Sequence, residues 1–190
     1  MRPSSQLEAE DRGAVHVDAA PTPQAERGRA VAVGLVALAG GHLAVDCCTG
    51  IWPVYKTLAH LDLHLAGAIA TAAGMIANGL QIAFGILGDR GHSRALLVVG
   101  VLLSSAVTFV PYTSHYGLLF ALVLLTAVGS AAFHPVGAGA AGSLSRRRTG
   151  VLMATFLAGG YVGYSLSQVA FTAAWRRAPG ATALLSVFPA

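Results

Sequence analysis

Five stretches of the chain are almost wholly apolar, at 30–55, 63–87, 95–113, 116–141 and 150–174. Each matches the roughly 20 residues that a helix needs to cross a bilayer. A sixth apolar stretch begins near Ala181 and runs for about ten residues, too few to cross. Polar and apolar positions do not alternate in any of them, and small residues recur at helical spacing. The pattern predicts an all-α polytopic membrane bundle over 30–190 and argues against a barrel. The first 29 residues differ: charges are mixed, Pro21 and Pro23 interrupt, and no apolar period develops. They read as a disordered cytosolic tail, too long and too acidic for a cleavable signal peptide.

Charge sharpens the picture. Only 11% of residues are charged while 55% are hydrophobic, far from soluble usage. Five of the eight acidic residues lie in the tail, leaving Asp46, Asp62 and Asp89 for the rest of the chain. With the N-terminus inside, Arg27, Arg29, Arg90, Arg94 and Arg146 to Arg148 face the cytosol, against Lys56, Arg176 and Arg177 outside. Seven against three predicts a multi-pass protein of the cell (inner) membrane with a cytoplasmic N-terminus. The net charge of +4 is divided among short clusters between apolar runs, which is not the footprint of a nucleic-acid binder. Cys47 and Cys48 are adjacent in the first span and read as reduced packing residues.

Asp46 is the only formally charged side chain between Val31 and Tyr55. A carboxylate there costs about 3 kcal/mol even on permissive insertion scales, so something must offset it. His42 stands four residues earlier, and Thr49, Gly50 and Pro53 continue the stripe. One reading is a hydrated cavity in which Asp46 takes up and releases a proton, with coupled titration of His42. The other is a buried pair that only fixes packing. His134 precedes Pro135 in the fourth span, where proline kinks or ends a helix. His134 is a second proton site or a cap for carbonyls freed by Pro135. Counting from the span ends puts Asp46 roughly 24 Å from the inner side and His134 roughly 27 Å from the outer one. On that count the two do not pair.

Tyr161, Tyr164 and Gln168 share a face of the fifth span and suit a pocket for a small polar or amphipathic solute. Asn78 and Gln81 share a face of the second and suit hydrogen bonding between helices. Gly159 and Gly163 form a small-xxx-small packing pair. His60, Asp62 and His64 read as solvated turn residues, so no metal site is expected, and no cofactor. An enzyme using His42 and Asp46 as base and orienter lacks an accompanying nucleophile, metal set or phosphate loop.

The loop GILGDRGHSRALL, from Gly85 to Leu97, has a helix-approach glycine, Asp89 and Arg90 at the membrane edge, and Arg94 after a tight turn at Gly91. Here the chain resembles the major facilitator superfamily, whose motif is roughly G-x-L-a-D-R-x-G-R-K. Three further segments, GHLAVDCCTGIWPVY, GSAAFHPVGAGAAG and GVLMATFLAGGYVGYSLSQ, resemble the fosmidomycin-resistance-type drug/proton antiporters within it. In the last segment Tyr164 stands where the antiporter motif has proline. The resemblance covers about residues 38 to 188. It implies the N-terminal half of a twelve-span transporter, working on a small-molecule substrate and protons, with Gly85, Asp89, Arg90 and Arg94 in the cytosolic gate. The partner it implies is a missing C-terminal or paired half. The other expectation is a non-transporting membrane protein, a fragment or half-size subunit that needs a partner.

Overall fold

The structure is a computed structural model describing residues 22–180 together with Thr182 and Leu184. The described residues are almost all helical, joined by short turns, and contain no strand. Helix α1 spans Pro23–Thr49, α2 Ile51–Leu58, α3 Leu63–Leu87, α4 Ser93–Ser104, α5 Tyr116–Ser143 and α6 Thr149–Arg177. A π-turn (Gly88–His92) joins α3 to α4, and a 3-10 segment (Ser105–Tyr112) extends α4. Four helical segments are long and apolar enough to cross a membrane: Pro23–Leu58, Leu63–Tyr112, Tyr116–Ser143 and Thr149–Arg177. The sixth stretch, from Ala181, falls almost entirely outside the described residues.

Helix α1 begins seven residues earlier than the apolar pattern predicts, which corrects the tail boundary at 29. The Thr22 hydroxyl accepts from the amide of Ala25 at 3.3 Å, Pro23 stands in the first turn and Glu26 follows. These are strong start signals for a helix whose first residues are polar. At the other end Pro53 cannot donate to the Thr49 carbonyl, and the break between α1 and α2 falls there.

Leu63–Tyr112 is 50 residues long but is not one rod. Gly91 has φ 96°, a left-handed conformation that glycine adopts without penalty, and the chain reverses there. The ends of α3 lie against α5 in parallel order: the amide of Asp62 donates to the Tyr116 hydroxyl, and Gly85 faces Pro135. Helix α4 runs against α5 in the opposite sense, with Leu96 beside Ala132 and Val136, and Ser104 beside Gly129. Helix α1 is antiparallel to α5, with Gly34 on Leu144 and Gly41 on Phe133. It is parallel to α6, with Ala39 on Gly159 and Leu43 on Gly163.

Aromatic contacts help to fix this arrangement. Trp52, Tyr55, Phe171 and Trp175 pack at one end, where the Tyr55 hydroxyl donates to the Val110 carbonyl at 3.0 Å and Trp52 Nε1 to that of Ala66 at 3.3 Å. The outer surface stays apolar: Val36, Met75, Ile82 and Val169 are each more than two-thirds exposed. A bundle apolar on its outside as well as its inside is what a lipid solvent selects.

Candidate functional site

The sequence reading that Asp46 and His134 do not pair is overturned. His134 Nε2 lies 3.3 Å from Asp46 Oδ1, and His42 Nε2 lies 3.3 Å from Asp46 Oδ2. The depth count failed because it measured from assumed span ends. Contacts between α1 and α5 set the true register, level at Gly34 and Leu144. From that line Asp46 stands roughly 18 Å along α1 and His134 roughly 15 Å along α5. Side chains also lean toward their own helix N-terminus, so in an antiparallel pair these two lean toward each other. At that level of the bundle the three side chains form one cluster.

Its walls come from three helices. His42 is buried at 4% exposure; its Nδ1 is 2.8 Å from the Phe156 carbonyl, and its ring stacks on the Phe156 ring at 4.2 Å. His134 meets the His42 ring edge-on at 4.8 Å, and its Nδ1 is 2.7 Å from the Ser130 carbonyl, with Ser130 Oγ alongside at 3.1 Å. The carbonyl it caps is therefore that of Ser130. Helix α5 continues through Pro135 to Ser143. Gly160 of α6 closes the third side: a Cβ there would sit 2.5 Å from His42 Nε2 and 2.6 Å from Asp46 Oδ2. The side chain of Asp46 is 18% exposed and that of His134 31%, so the cluster opens on the His134 side.

Hydrogen-bond direction defines the chemistry. A carbonyl oxygen only accepts, so Nδ1 of each histidine carries a hydrogen. In neutral imidazole the other nitrogen is then a lone pair. Both Nε2 atoms thus face carboxylate oxygens as acceptors. One proton shared in the cluster satisfies one contact, and two satisfy both. A proton or a cation held between these atoms would offset the burial of Asp46.

The other singled-out residues lie elsewhere. Tyr161 and Tyr164 are exposed on α6, outside the cluster, and Gln168 borders a separate shallow depression with Val54 and Arg176. Gln81 Nε2 donates to Asn78 Oδ1 at 3.1 Å on the exposed face of α3, so this pair bonds within its helix, not between helices as expected. Cys47 and Cys48 are free thiols, and Cys47 donates to the Gly163 carbonyl at 3.2 Å. Asp62 is the N-cap of α3, accepting from the amides of His64 at 2.8 Å and Leu65 at 3.0 Å. Asp89 and Arg90 are exposed on the π-turn and Arg94 on the first turn of α4, and among the described residues none forms an ion pair. The tight glycine of that turn is Gly88, whose Cβ would sit 2.8 Å from Val136 Cγ2. A Cβ at Gly85 meets Pro135 at an ordinary 3.9 Å, which corrects the close approach expected there.

Gly160, Ser130 and the Phe156 carbonyl were missed. The glycine doublet at 159–160 was the available signal for Gly160; the two carbonyl contacts leave none. Compared with known proteins, the chain matches no family model, no curated protein and no solved structure. Fold and cluster define a class only: an all-helical bundle compatible with a membrane protein, with a His–Asp–His centre inside it.

Proposed function

We propose that the protein is a secondary active transporter, or the N-terminal part of one, which couples protons to export of a small drug-like or polar compound. The observation that supports this most is the cluster of three facing acceptors inside an apolar bundle. An intramembrane carboxylate paired with histidines is a natural relay for protons. In this reading the reversal at Gly91 makes five passes of the four long segments, and the arginine-rich end of the bundle is cytosolic. The pathway is completed by a second six-helix half, and the two halves rock about a site near the midplane. Asp89, exposed at the arginine-rich end, meets that half in the gate. Tyr161 and Tyr164, exposed on α6, and the half-buried Gln168 line its substrate side.

Asp46→Asn tests the proposal, because it preserves shape while removing the carboxylate. In the complete transporter it abolishes proton-driven accumulation and spares substrate exchange and expression. Wild-type proton dependence in that variant would overturn the coupling role of Asp46.

A further inference from the structure

We propose that His42, Asp46 and His134 form a binding site for a divalent transition-metal ion of the zinc class. The inference rests on the geometry of the cluster and not on the transport reading, so either can fail alone. It also departs from the sequence pattern, on which no metal site is expected.

The donor atoms are the two Nε2 nitrogens and the Asp46 carboxylate, all within 4.8 Å of one another. Each nitrogen lies 3.3 Å from a carboxylate oxygen. Ligands about 2.1 Å from a tetrahedral zinc ion are about 3.4 Å apart; each nitrogen is already at that spacing from its own carboxylate oxygen, and the full set closes from within 4.8 Å. The outer shell is in place too. Each Nδ1–H donates to a main-chain carbonyl, of Phe156 or Ser130, the arrangement that turns the other imidazole nitrogen toward a metal and raises its basicity.

Two imidazoles and one carboxylate suit zinc, cobalt, nickel or iron, and suit calcium and magnesium poorly. Three protein ligands leave a position open, on the side where His134 is most exposed. No cationic side chain of the described residues reaches the cluster to compete for the carboxylate, since its only ion-pair partners are the two histidines. Metal and shared protons are alternative occupants of the same three atoms.

The test uses the full chain, purified in detergent without a histidine tag, at mildly alkaline pH, where fewer protons compete with the metal for its ligands. Co2+ is titrated and its visible d–d absorption recorded. The proposal predicts one equivalent bound per chain, displaced by Zn2+, with affinity falling about tenfold or more in His134→Gln and in Asp46→Asn. A chain carrying His60→Ala and His64→Ala binds as wild type does. X-ray absorption at the zinc edge of the unaltered chain shows two imidazoles in the ion's first shell, a result that does not depend on any variant folding. No cobalt absorption from folded wild-type chain would overturn the site. So would binding that survives His134→Gln and Asp46→Asn together, or a zinc shell with no imidazole pair.

Discussion

His42 is held by three contacts with two residues: the Phe156 carbonyl on its Nδ1, the Phe156 ring on its face and Asp46 on its Nε2. Gly160 is what leaves room for them. Gly160→Ala drives a methyl group into His42 and Asp46, and overpacking of this kind costs about 1–3 kcal/mol. The variant melts at lower temperature in detergent and loses the function of the cluster with its stability; a melting curve equal to wild type would show that the cluster is looser than described. Asp62 makes a milder prediction. The Leu65 amide, followed by that of His64, holds its carboxyl below the ordinary value of 3.8. Its contribution to α3 is therefore complete above that value and fades as the pH falls through the lowered one. Asp62→Asn removes this part of the acid dependence and retains most of the cap. Acid unfolding followed by circular dichroism, compared between the two chains, measures the difference.

Glycine sets how closely the elements approach. A Cβ at Gly159 would lie 2.6 Å from the Ala39 carbonyl oxygen, and one at Gly163 would run into that of Leu43, both rigid main-chain atoms of α1. Gly74 and Gly79 of α3 have nothing within 4 Å. Gly163→Ala therefore forces α1 and α6 apart at about 1–3 kcal/mol, whereas Gly74→Ala is neutral or stabilising by up to about 1 kcal/mol. Thermal denaturation in micelles separates the two, and equal melting temperatures would contradict the α1–α6 contact. Much at this scale was legible in advance. The apolar runs locate the helical segments, and the spacing of Gly159 and Gly163 marks a packing face. Less legible were the ends. The start of α1 is written in Thr22, Pro23 and Glu26, which an apolar count passes over. Along the 3-10 course of Ser105–Tyr112 the Ser105 hydroxyl bonds back to Leu102 of α4 and that of Thr108 to Ser105, a course composition does not announce.

Across the whole molecule, Arg27, Arg29, Arg90, Arg94 and Arg146 to Arg148 gather at the end where α1 begins, with the π-turn and the α5–α6 loop. Lys56, Arg176 and Arg177 lie at the other. If the first end is cytosolic, then in a Cys47→Ala, Cys48→Ala background a cysteine at Ser145 resists an impermeant maleimide added outside, and one at Thr113 reacts. Labelling at position 145 would invert the topology. The candidate site was half visible in the sequence. His42 and Asp46 share a stripe by their spacing of four, but His134 comes from another helix, and its register depends on where α1 and α5 touch, a tertiary quantity no single-span count contains. That convergence is the central claim, and cross-linking tests it most directly. In the same cysteine-free background, Asp46→Cys is combined with His134→Cys or with Ala127→Cys, two helical turns away on the same face of α5, and treated with a short bis-maleimide in native membranes. The structure predicts intramolecular cross-linking of positions 46 and 134 and little between 46 and 127. Cross-linking of 46 to 127 with none to 134 would contradict it.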